Sequence, residues 1–185
     1  YFKRNNGGVT FSGGEPLLQV EFLLDIFPIL KKEGIHIALD TAGVGIGYYK
    51  EILSYVDLVL LDIKHITDSG YLDLTGSKMT EFQKFVTCLN ESGKKVWIRQ
   101  VIVPGVHDNM EYIKGLAKFI KKIKNVEKIE FLPYHKLGDS KYETLGINNP
   151  YLNKEEMDVD KCHSLYLKFR GYFYEEEANK EDLYT

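Results

Sequence analysis

The sequence predicts an α/β fold built on a parallel sheet, and three observations carry that prediction. Short Val, Ile and Leu runs read as strands buried on both faces, amphipathic helical segments alternate with them, and polar residues collect where the apolar runs stop. About six such strands can be counted, fewer than the eight of a complete barrel. That leaves an open wound sheet or an incomplete barrel. Either one binds ligands beyond the carboxyl ends of its strands.

The elements follow in order. Val9–Phe11 is a β-prone run that stops at Ser12-Gly13-Gly14-Glu15-Pro16, and Leu18, Phe22, Leu23, Phe27 and Leu30 then recur at helical spacing. Lys31-Lys32-Glu33-Gly34 supplies cations and a glycine to end that helix. Ile35–Leu39 is the second strand, running into Asp40-Thr41-Ala42-Gly43. A helical stretch over Gly47–Tyr55 leads to the apolar Leu58–Leu61, which ends in charge at Asp62 and Lys64. A polar stretch runs from His65 to Ser77. A helix over Met79–Ser92 stops at Gly93, and the strand Val96–Val103 closes at Pro104-Gly105. Met110–Lys124 is amphipathic, Ile129–Leu132 is a strand ending in Pro133-Tyr134-His135, and Lys154–Phe169 is the last helix, with a short aromatic strand at Tyr172–Tyr174.

In 185 residues, of which 44% are hydrophobic, there is material for one well-packed core. The expected organisation is one domain over 1–174 and an acidic, solvated tail over 175–185. Lys and Arg number 24 against 27 Asp and Glu, a net charge of −3, which gives no electrostatic reason to expect nucleic acid as a partner. No apolar run reaches the roughly 20 residues of a membrane span. Cys88 and Cys162 are the only cysteines and spell out neither a disulfide framework nor a Cys-x-x-Cys site, so a reducing, cytoplasmic setting is expected.

Four strand ends carry unusual polar groups: Ser12-Gly13-Gly14-Glu15, Asp40-Thr41, Asp62-Ile63-Lys64, and His135. Taken singly, each has an ordinary structural reading as a tight turn, a cap, a surface ion pair or a hydrogen-bonded ring. Parallel strands bring their carboxyl ends to one side, however, and the convergence argues for a small-molecule site. Bare glycine backbone can approach a ligand closely. Lys64 offers a cation for a carboxylate, Asp40 and Asp62 offer hard oxygens, and His135 offers a ring or a donor. That inventory suits an amino-acid-like ligand bearing a ribose. A nucleophile elbow, a Gly-rich loop ending in Lys-Ser/Thr and a His-Glu-x-x-His helix are all missing from the sequence.

Gly7–Leu17, Leu39–Gly43, Asp57–Lys64, Trp97-Ile98-Arg99 with Val103-Pro104-Gly105, and Leu132–Gly138 with Lys141-Tyr142 together resemble the radical S-adenosylmethionine (SAM) activases of glycyl radical enzymes, in the branch acting on pyruvate formate-lyase. The resemblance implies a (β/α)6-type partial TIM barrel. It implies a four-iron four-sulfur cluster on a Cys-x3-Cys-x2-Cys loop, SAM bound at the cluster, and a 5′-deoxyadenosyl radical that takes a hydrogen atom from a glycine of the partner. A flavodoxin or ferredoxin would supply the electron. Carried onto this sequence, it places Gly13 and Gly14 at the SAM amino group, Asp62, Ile63 and Lys64 along SAM with Lys64 at its carboxylate, and His135 near the adenosine. Asp40, also placed at SAM, joins Thr41, Asp62 and the Leu60 backbone as a monovalent-cation site, and Arg99 would face the partner's glycine loop. The cysteine loop lies upstream of Gly-Gly-Glu in that family, so the chain is expected to be a C-terminal portion lacking its first strand-helix unit and inactive alone. Two other readings stay open: activation of a different glycyl radical enzyme, and a cluster-free module that binds a nucleoside or a protein.

Overall fold

A computed structural model describes residues 7–181. Five strands form one sheet in the order β1-β2-β3-β4-β5: β1 Gly8–Phe11, β2 His36–Thr41, β3 Leu58–Asp62, β4 Lys95–Ile102 and β5 Val126–Pro133. The pairings β1 with β2, β2 with β3, and β3 with β4 are parallel. Five strands, rather than about six, follow because the aromatic run at Tyr172–Tyr174 is helical. The expected α/β class with an incomplete parallel barrel stands.

The chain divides into two compact units, Tyr1–Gln100 with Lys122–Glu130, and Val101–Lys121 with Phe131–Thr185. In the first, a 3₁₀ turn over Pro16–Leu18 precedes α1 (Val20–Lys32), followed by α2 (Tyr49–Tyr55), α3 (Asp68–Thr75) and α4 (Thr80–Ser92). Three successive residues of β2, Ile37, Ala38 and Leu39, are buried, as a strand covered on both faces requires. Leu23 and Phe27 of α1 are buried, and Phe27 meets Phe11 edge to face with centroids 4.8 Å apart. At the amino-terminal edge Asp57 accepts from Lys31 Nζ at 2.7 Å and from the Ile37 N–H at 2.8 Å. One carboxylate thus ties α1, β2 and the approach to β3.

The polar stretch from His65 to Ser77, to which the sequence pattern assigns no element, contains α3. Thr67 caps it by accepting from the Gly70 N–H at 3.2 Å. Only Tyr71 of this helix is buried, so no apolar period marks it in the sequence.

Gly43 shows where packing demands glycine. It sits at φ +72°, and a Cβ there would stand 2.9 Å from Phe85 Cδ1 and 3.1 Å from Phe82 Cδ2, two side chains fully buried on α4. Gly43→Ala should therefore combine backbone strain with overpacking, a loss of about 2–4 kcal/mol. The drop in Tm by calorimetry checks this, and an unchanged Tm would contradict it.

In the second unit, α5 (Met110–Ile120) is capped by Asn109, which accepts from the Tyr112 N–H at 2.9 Å, and it buries Ile113, Leu116 and Ile120. A short helix, α6 (Asp139–Leu145), and the long α7 (Val159–Glu181) complete it. Helix α7 starts at Val159 rather than Lys154 because Asp158 caps it, accepting from the Lys161 N–H at 2.7 Å. It runs through the expected strand because Cys162, Leu165, Phe169 and Phe173 keep helical spacing. Phe169 stacks on Phe173 at 5.5 Å and packs on Phe131 of β5 at 5.0 Å.

Candidate functional site

At the carboxyl ends of β1 to β4 in the first unit lies a cavity of about 460 Å³, within the range of small-molecule sites, about 300–1,000 Å³. Its walls include Gly13, Gly14, Asp40, Thr41, Asp62, Lys64 and Arg99. Gly13 is at φ +129°, and nothing lies within 4 Å of a Cβ built at Gly13 or Gly14. The turn therefore presents bare backbone to open space.

Strand register sets the charges. Asp62 pairs with Arg99 across β3 and β4, and Asp40 pairs with Leu60, two residues ahead of Asp62. Arg99 Nε donates to Asp62 Oδ1 at 2.8 Å and Nη2 donates to Asp40 Oδ1. Ser12 Oγ donates to Asp40 Oδ2 at 3.3 Å, and Lys64 Nζ donates to Asp62 Oδ2 at 3.4 Å. The three side chains of this bridge are only 19–22% exposed. Burial works against the charged guanidinium, but Asp62 and Asp40 outweigh it and hold the Arg99 pKa above its ordinary value.

Glu15 is the clip that shapes the turn. Its carboxylate accepts from Thr41 Oγ1 at 2.5 Å, the Ala42 N–H at 2.8 Å and the Leu17 N–H at 3.1 Å. Thr41 Oγ1 in turn accepts from the Gly43 N–H at 2.8 Å. Burial pushes the Glu15 carboxyl above its ordinary pKa, against the pull of those hydrogen bonds and of Lys64.

The remaining sequence-derived residues are Ile63, Leu60 and His135. The Ile63 side chain is in the core, and its N–H donates to the Arg99 carbonyl at 3.0 Å. Leu60 is half-buried within β3. His135 belongs to the second unit, exposed after β5, with Nδ1 accepting from the Leu137 N–H at 3.4 Å. Of the expected cation ligands, Thr41 is engaged by Glu15 and Gly43, and Asp40 and Asp62 share Arg99, which supplies the positive charge between them. Sequence reasoning missed the wall contributed by Tyr71, Thr75 and Ser77, which depends on α3.

A larger cavity, about 950 Å³, lies between α2 and α4. The Tyr49, Lys50, Glu81 and Lys84 side chains on its walls are paired within the protein. Lys84 pairs with Glu81 at 2.7 Å, Lys50 with Glu91 at 2.8 Å, and the Tyr49 hydroxyl donates to Glu81 at 2.9 Å while accepting from the Gly45 N–H. The smaller cavity, with bare backbone and converging charges, is the better site for chemistry.

The family model of the radical SAM superfamily matches residues 1–120, well over half the chain, and the chain belongs to that superfamily. Within it the similarity is to activating enzymes. The chain is 54% identical over 170 residues to a pyruvate formate-lyase-activating enzyme of Clostridium pasteurianum, covering 91% of this chain and 71% of that one. It is 42% identical over 180 residues to the enzyme of the same name from Staphylococcus epidermidis, covering 92% and 72%. A solved domain of a pyruvate formate-lyase-activating enzyme from Bacteroides vulgatus superposes with a TM-score of 0.71 at 25% identity, over 90% of this chain and 94% of that one. The chain is thus an oxidoreductase of the activase type.

The superfamily uses SAM and a 4Fe-4S cluster. SAM fits the described residues, since an open glycine backbone, a lysine and half-buried carboxylates line a cavity of suitable size. A 4Fe-4S cluster does not fit them. Among the described residues no group of three or more His, Cys, Asp or Glu could hold a metal ion, and burial pushes the Cys162 thiol up, away from the thiolate a cluster needs. Among those residues no helix is long and apolar enough to cross a membrane.

Proposed function

We propose that the cavity at the carboxyl ends of β1 to β4 is the SAM site of an activase for pyruvate formate-lyase. The observation that carries this reading is the Gly13-Gly14 turn opening onto the same cavity as Lys64. Backbone oxygens of the turn accept from the amino group of the ligand, and the Lys64 ammonium pairs with its carboxylate. Asp62 holds Lys64 at 3.4 Å and is itself held by Arg99, which limits the positions Lys64 can take. Held there, SAM would supply the 5′-deoxyadenosyl group that takes a hydrogen atom, methionine leaving as its C5′–S bond breaks on one-electron reduction by way of a flavodoxin or ferredoxin. The residues of this chain bind and orient it, and by themselves they do not cleave it. The acceptor is a glycine of the partner enzyme, and the names of the two curated relatives support pyruvate formate-lyase as that partner.

The test uses the protein of the complete reading frame, loaded anaerobically with iron and sulfide. Formation of 5′-deoxyadenosine is followed by chromatography and the glycyl radical on pyruvate formate-lyase by electron paramagnetic resonance. Lys64→Ala should reduce kcat/KM for SAM at least about tenfold, the worth of a hydrogen bond to a charged group. No 5′-deoxyadenosine from the wild type would overturn the reading. A radical formed on a different glycyl radical enzyme and not on pyruvate formate-lyase would overturn the choice of partner.

A further inference from the structure

Helix α3 brings one further group to this cavity. Tyr71 is only 1% exposed, yet it lines the cavity wall. Its ring packs against Phe82 of α4 with centroids 6.0 Å apart. Among the described residues its hydroxyl has no hydrogen-bond partner in the protein, and it is not sealed from solvent either. It therefore reaches the open volume that its ring borders. A hydroxyl on a buried ring that opens onto the cavity and has no partner in the protein is available to donate to whatever occupies that cavity.

Neighbouring charges say what that something is. Glu15 is close enough to raise the Tyr71 pKa beyond what burial does, and Lys64 is close enough to lower that of Glu15. Tyr71, Lys64 and Glu15 line the same cavity, together with the Gly13-Gly14 turn. The phenol stays protonated at neutral pH and acts as a donor. Three of the four acceptor sites of the Glu15 carboxylate are taken by Thr41, Ala42 and Leu17, and no hydrogen bond joins it to Tyr71.

We infer that the Tyr71 hydroxyl donates a hydrogen bond to the carboxylate of the ligand's amino-acid end, beside Lys64. This rests on the reading of the cavity as a SAM site. Tyr71 is then a binding residue contributed by the one helix of the first unit that the sequence pattern hides. A protonated phenol and an ammonium form a two-point grip on a carboxylate, which favours SAM over adenosyl sulfonium compounds lacking that group.

The test measures the SAM dissociation constant by isothermal titration calorimetry, on the metal-loaded protein of the complete reading frame. Wild type, Tyr71→Phe, Lys64→Ala and the double variant are compared, with the Tm of each ligand-free form. Tyr71→Phe keeps the ring, so its Tm should stay at the wild-type value while binding weakens about tenfold. Two donors on one carboxylate couple, so the double variant should depart from the sum of the single effects. Wild-type affinity in Tyr71→Phe, with Lys64→Ala weakened, would overturn the inference alone. Additive effects would overturn the shared carboxylate. A wild-type protein that binds no SAM would overturn the reading of the cavity and the inference with it.

Discussion

Glu15→Ala should lower stability more than any other substitution in the site, by about 3 kcal/mol or more. The carboxylate accepts three hydrogen bonds, from the buried Thr41 hydroxyl and from the Leu17 and Ala42 N–H groups. Removing it strands three donors, and each unsatisfied buried donor costs about 1–3 kcal/mol. Urea denaturation gives the loss directly, and a loss under about 1 kcal/mol would mean that water replaces the carboxylate without cost.

Glu15→Gln separates charge from shape. Because burial raises the folded pKa of Glu15 above the unfolded value of 4.5, its proton-linked stabilisation is fully present below that value. It is lost as pH rises through the higher folded pKa. The stability of wild type minus that of Glu15→Gln should therefore fall from pH 4.5 toward neutrality. A difference that grows with pH would contradict the raised pKa.

Arg99→Leu has the second largest expected effect within the site. It leaves Asp40 and Asp62 facing one another with no guanidinium between them, at side chains about one-fifth exposed. Breaking a fully buried pair costs about 3–5 kcal/mol, and partial exposure reduces that to about 2–3 kcal/mol. Removing one of the two stranded charges relieves the repulsion, so Arg99→Leu combined with Asp40→Asn should be more stable than Arg99→Leu alone. Chemical denaturation of the four-member cycle measures this. A double variant less stable than Arg99→Leu would show that Arg99 acts by packing rather than charge.

What could be read from the sequence, and what could not, follows physical lines. The β1-turn-α1 unit and the strands β2 to β4 were legible because apolar runs end at glycine or charge, and parallel strands carry those ends to one side. Gly13, Gly14, Asp40, Thr41, Asp62, Lys64 and Arg99 do line one cavity. The Arg99 bridge was not legible, since it depends on the register that sets Asp62 against Arg99, and spacing along one strand does not specify register. Helix α3 was hidden because Tyr71 is its only buried residue. The aromatic run at Tyr172–Tyr174 read as a strand by local propensity, while the stacking of Phe173 on Phe169 holds it helical.

A crystal structure of the anaerobically prepared full-length protein with SAM tests the central claim most directly. SAM is expected in the cavity at the ends of β1 to β4, with its amino group at the Gly13-Gly14 backbone and its carboxylate between Lys64 and Tyr71. SAM bound in the larger cavity between α2 and α4, or with its amino-acid end turned away from Gly14 and Lys64, would contradict it.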